Sequence, residues 1–132
     1  MKNILFVFAF LIAQCVAAQE APSPEDKNKV YTPETVDVKP EFVGGMRAFY
    51  SFIAKNYRAP EKEGLNGRVI VTFIVQEDGS LSDFDLLEDI GYDTGEEALR
   101  VLALCPKWNP AMIGGKAVRC QYKFPIHIET AK

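Results

Sequence analysis

The chain has 132 residues, nearly half of them hydrophobic, with 15 basic and 18 acidic side chains and a formal net charge of −3. A chain of this size has room for one domain, and its charge lacks the basic footprint that nucleic-acid binding requires. One histidine and three cysteines leave little material for metal or covalent chemistry.

The N-terminus carries Lys2, the apolar run Ile4 to Ala13 and the small-residue segment Val16-Ala17-Ala18. This order describes a cleavable export signal over residues 1–18, cut after Ala18. The run is shorter than the roughly 17 to 25 apolar residues a bilayer span needs, and Gln14 stands where a lipidation signal at Cys15 would place a small residue. Loss of Lys2 with the signal would leave 14 basic against 18 acidic side chains, a net −4. Residues 19–39, rich in Pro, Glu, Asp, Lys and Asn, predict a flexible leader that stretches to at most ~75 Å.

The folded part is expected over residues 40–129. Met46, Phe49, Phe52, Ile53 and Tyr57 recur at helical spacing, which predicts a helix over Met46 to Asn56 that closes at Asn56 in a left-handed conformation. Arg68 to Val75 is β-branched and aromatic, and Leu81 to Leu87 returns after the turn Gln76-Glu77-Asp78-Gly79, which predicts a hairpin. The first strand is apolar on both faces and so is expected at the centre of the sheet. The phase of the second changes between Leu81 and Phe84, the mark of a bulge. Thr94 and Glu97 have capping-box spacing before a second helix, which Pro106 stops.

The last strand, AVRCQYKFPIHIE over residues 117–129, alternates with Val118, Cys120, Tyr122, Phe124, Ile126 and Ile128 on one side. Pro125 has no N–H to give to a ladder, so this strand is expected at a sheet edge. The order helix, strand, strand, helix, strand predicts an α+β, two-layer fold, with two helices packed on one face of a three-stranded antiparallel sheet.

No catalytic constellation emerges. His127 has no metal-ligand companion at usable spacing, and neither Cys105 nor Cys120 belongs to a zinc pattern. The even count left after export permits a Cys105–Cys120 disulfide, while both positions also suit buried free thiols. Nine acidic residues and no basic one lie between Gln76 and Glu97, yet they do not match an EF-hand loop. The reading is a non-enzyme without cofactor, metal or small-molecule substrate. What remains is the last strand, whose Arg119, Lys123 and Pro125 suit either blocking an edge or using it to add another chain.

The motifs PEFVGG, a helix ending NY, GRVIVTFIVQEDG, EEALR, PKWNP and a last strand closing FPI occur in this order and spacing from Pro40 to Ile128. Together they resemble the C-terminal domain of the TonB family, in the form common in Bacteroidetes. The resemblance implies a periplasmic domain of energy-coupled transport that binds an extended peptide, the TonB box of outer-membrane receptors, by strand addition at the last strand. Carried over, the peptide-binding residues are Val118, Arg119, Cys120, Gln121, Tyr122, Lys123, Phe124, Pro125 and Ile126, with Tyr57 and Arg58 from the YRAP connector. Trp108 and Pro110, in the family's W-x-P element, are expected to pack. In place of the family's membrane helix and long Pro-rich linker, the chain has a signal and a 21-residue leader, so the expectation is a free module that binds without pulling. The alternative is a homodimer paired through the same strand.

Overall fold

The computed structural model describes residues 29–132; the expected signal over 1–18 and the first part of the leader lie outside them. The described elements are β1 (Val30–Tyr31), a 3-10 turn (Pro33–Thr35), α1 (Gly45–Asn56), β2 (Asn66–Val75), β3 (Leu81–Glu88), α2 (Thr94–Ala103), β4 (Ala111–Ile113) and β5 (Lys116–Glu129).

The strands run in the order β1-β5-β2-β3, with β4 also paired to β5. β2 is central, antiparallel to β3 on one side and to β5 on the other, from Asn66 opposite Glu129 to Val75 opposite Cys120. Its burial explains the position: Val69, Val71, Phe73 and Val75 are fully buried on the helix side, and Ile70 and Thr72 are nearly so on the other. Cross-strand neighbours cover that second face, since Ile70 lies between Pro125 and Glu88, and Thr72 between Lys123 and Asp85. The expected bulge is present: Asp83 has a φ of 53° and the β2–β3 register shifts between Thr72 and Ile74.

The sheet differs from the three-stranded antiparallel one expected. It is mixed, because β1 runs parallel to β5, with Val30 opposite Arg119 and Tyr31 opposite Cys120. It is also larger, because β4 forms a hairpin with Lys116–Val118 through Gly114-Gly115. Neither added strand has a periodicity to announce it: two and three residues are too few. Residues 29–39, expected as part of a flexible leader, are seated on the domain. After β1 and the 3-10 turn, Asp37 and Val38 amides donate to the Met112 carbonyl at 2.9 and 3.1 Å, and Glu41 exchanges two bonds with Asn109.

The helix ends also depart from expectation. Asn56 does not turn left-handed; it is the last helical residue and its Nδ2 donates to the Phe52 carbonyl at 2.8 Å. Thr94 is inside α2 rather than capping it, and its hydroxyl donates to the Gly91 carbonyl at 2.7 Å. The N-cap is Asp93 in a left-handed conformation, so the capping-box spacing of Thr94 and Glu97 has no capping box behind it.

Both helices cover the same sheet face. Trp108, 3% exposed, sits at the middle of an aromatic cluster, edge-on to Phe42, Phe49, Phe73 and Tyr122 at 4.9–5.9 Å. Phe49 of α1 meets Phe124 of β5 at 4.5 Å. Edge-to-face contacts of this kind add to area burial, and here they lock α1 over β5.

Candidate functional site

β5 is the longest strand, and its two sides are used unequally. Toward β2 it is paired from Cys120 to Glu129. On the other side β1 covers Arg119 and Cys120, while from Gln121 to Glu129 no strand among the described residues pairs with it. Pro125 lies opposite Ile70 in a ladder without register shift. A proline is tolerated there when its missing N–H is the one facing away from β2. By the two-residue period, the amides of Gln121, Lys123, His127 and Glu129 also face the open side.

Beside this open stretch α1 overhangs the strand. Tyr50, Ile53, Ala54 and Tyr57 face Phe124 to Glu129 across a groove of about 400 Å³, with Ala59 at its end. Tyr50 is 56% exposed and lies 5.8 Å from the Phe124 ring. The Tyr122 hydroxyl donates to Met46 Sδ at 3.4 Å, extending the α1–β5 contact one turn further. Met46, Tyr50 and Ala54 recur every four residues, so one stripe of α1 flanks the edge. The groove therefore combines unpaired main chain with an apolar wall.

Its far end is held by polar contacts between the two helices. Tyr57 donates to the Thr94 carbonyl at 2.9 Å. Burial, reinforced by the Glu97 and Asp89 carboxylates, pushes its phenol up to about 12. Arg100 donates to Glu97 and, at 2.8 Å, to the Asn56 carbonyl. Glu97 accepts the Arg58 amide at 2.8 Å. The hydrogen bond from Arg100, with the one from Arg58, holds the Glu97 carboxyl below its ordinary range.

The residues singled out from the sequence are divided by this geometry. Tyr57, Phe124, Pro125 and Ile126 line the groove. Gln121, Tyr122 and Lys123 flank a second hollow, beside the 3-10 turn and Lys39. Val118 is paired with Ala111 of β4, and Arg119 and Cys120 are paired with β1, so these three are not on the open stretch. Arg119 Nε donates to Gln76 Oε1 at 3.0 Å. Arg58 lines a separate polar hollow with Lys62, Tyr92 and Glu97. Sequence reasoning missed Tyr50, Ala54, His127, Ile128 and Glu129; the four-residue spacing on α1 and the alternation running on to Ile128 were the available signals. Cys105, after α2, and Cys120, in β5, are free thiols rather than a disulfide, and burial pushes each up to about 11.

A family model described as Gram-negative bacterial TonB protein C-terminal matches residues 58–129. The chain belongs to the TonB C-terminal family. No curated protein matches it. TonB C-terminal domains are periplasmic and non-catalytic, linked to energy-coupled transport and to outer-membrane receptors. In this TonB C-terminal domain the matched span ends at Glu129, where β5 ends, and leaves α1 and β1 outside it. Among the described residues no helix is long and apolar enough to cross a membrane.

Proposed function

We propose that this chain is an exported periplasmic module that captures an extended segment of an outer-membrane receptor, of the TonB-box kind, as an added strand on β5. The observation that carries the reading is the unpaired stretch Gln121–Glu129 beside the α1 groove. Nine extended residues offer about 30 Å of edge. Main-chain bonds supply sequence-tolerant affinity, and side chains on one face of the added strand enter the groove formed by Tyr50, Ala54 and Tyr57.

The same edge could pair with a second copy of the chain. An antiparallel pairing about a two-fold axis at Pro125 would set two prolines opposite each other and remove both central hydrogen bonds. A separate peptide with a full set of donors avoids that loss, so the heterologous reading is preferred.

Fluorescence anisotropy with labelled TonB-box peptides tests the proposal. Lys123→Pro and His127→Pro each remove one outward-facing amide and should lower affinity by about tenfold or more, the effect of roughly 1.4 kcal/mol. Circular dichroism and melting should stay close to the parent. Undiminished binding by both folded variants would overturn strand addition, and sedimentation that shows a dimer insensitive to peptide would favour self-pairing.

A further inference from the structure

β1 lies on the same side of β5 as the open stretch and stops where that stretch begins. Its two residues pair with Arg119 and Cys120, and the following 3-10 turn flanks Gln121 to Lys123. The segment is lightly held. Val30 and Tyr31 are only half-buried, and the turn contains no buried residue. Among the described residues its side-chain bonds are local, between Thr32 and Thr35, together with the Lys29 ammonium 4.8 Å from the Tyr31 ring centre. The next few residues are held firmly: Asp37 and Val38 bond to Met112, Asp37 Oδ2 accepts the Gly114 amide at 2.8 Å, and Glu41 pairs with Asn109. A short, shallow strand tethered to a fixed point is the kind of segment that opens without global unfolding.

We infer that β1 is a displaceable guard strand covering a cryptic extension of the β5 edge, Arg119 and Cys120, which a captured peptide longer than the nine-residue open stretch takes over. The inference rests on the reading of that edge as a strand-capture site. The guard sets a length rule. A peptide that fits within Gln121–Glu129 leaves β1 in place. A longer one gains two further residues of edge only by displacing β1, and its apparent affinity is reduced by the fraction of time β1 is closed.

Cys120 reports the guard's state. Its side chain is fully buried yet lies outside the main aromatic and aliphatic core. Glu34 of the 3-10 turn is close enough to help raise its thiol, after burial itself. If β1 and the turn act as the guard, lifting them exposes this sulfur.

The experiment uses the full mature chain with Cys105→Ser, so that Cys120 is the remaining thiol. The rate of reaction with an aromatic disulfide reagent is measured alone, with a seven-residue TonB-box peptide, and with the same peptide lengthened by five residues at either end. Labelling should be slow alone, unchanged by the short peptide and altered by one lengthened form. Val30→Pro/Tyr31→Pro should speed labelling and tighten binding of that lengthened peptide by about tenfold, as expected if β1 is open roughly a tenth of the time, without affecting the short one. Tyr31→Cys places a thiol in register with Cys120; its oxidised form should hold β1 down and erase the long peptide's gain, and reduction should restore it. If the short peptide binds but breaking β1 changes neither labelling nor long-peptide affinity, the guard is refuted and capture stands. If neither peptide binds any variant, the capture reading fails and the guard's role with it.

Discussion

Gly79→Ala adds one methyl group and is expected to destabilise the whole domain. Gly79 closes the β2–β3 turn with a φ of +90°, and an added Cβ would lie 2.0 Å from the Trp108 carbonyl oxygen and 3.0 Å from the Trp108 carbonyl carbon and nitrogen. Relief needs a separation of about 1.4 Å to reach ordinary contact, which takes the Trp108 amide out of bonding range of the Gly79 carbonyl, now 2.8 Å away. A left-handed alanine costs about 1–2 kcal/mol. A buried donor left without its acceptor costs about 1–3 kcal/mol more. The total of about 2–5 kcal/mol corresponds to a fall in Tm of at least about 10 °C for a domain of this size. Gly64→Ala is the control, because Gly64 also has positive φ, +74°, but nothing lies within 4 Å of the point its methyl group would occupy; only the backbone cost of about 1–2 kcal/mol should appear. Urea titration of both variants measures the difference. Equal losses for the two would refute the argument that close approach to Trp108, rather than glycine's backbone freedom, makes Gly79 necessary.

Two further outcomes follow from the same contacts. Tyr50→Ser removes an exposed ring from the groove wall and should weaken TonB-box peptide binding by about 1–2 kcal/mol, roughly five- to thirtyfold, while Tm moves little; anisotropy beside a thermal melt separates the two effects. At high pH the domain should lose stability. Burial raises Tyr57 from 10.0 to about 12 and both cysteines from 9.0 to about 11, so the unfolded chain releases these protons first. The stabilising contribution is full below about pH 9 and declines between about pH 9 and 12 as the unfolded groups ionise. Tyr57→Phe with both cysteines replaced by alanine should flatten that decline in urea midpoints measured from pH 8 to 11, at the cost of the bond to the Thr94 carbonyl.

The parts legible in the sequence were those governed by local periodicity. Phe49 and Ile53 on α1, the doubly apolar β2 and the alternation of Cys120 to Ile128 each mark a face that must be buried, and the structure buries all three. Pro125 announced that one side of β5 could not be a complete ladder, because a missing N–H is a local fact with a tertiary consequence. Trp108 was readable as packing, and it forms the centre of the aromatic cluster. The family motifs rest on this same set of turn, core and strand positions.

What the sequence could not determine were pairings between distant short segments. Val30-Tyr31 and Ala111–Ile113 carry no period, and their strand character exists only because β5 offers an edge to meet them. That meeting moved the open stretch from Val118–Ile126 to Gln121–Glu129 and placed Arg119 and Cys120 under β1. The groove likewise depends on how far α1 overhangs the strand, a distance set by Phe49 against Phe124 and Trp108 rather than by any motif. Hydrophobic period records which side of an element is buried; it does not record which neighbour buries it, and the limits of this edge were decided by neighbours.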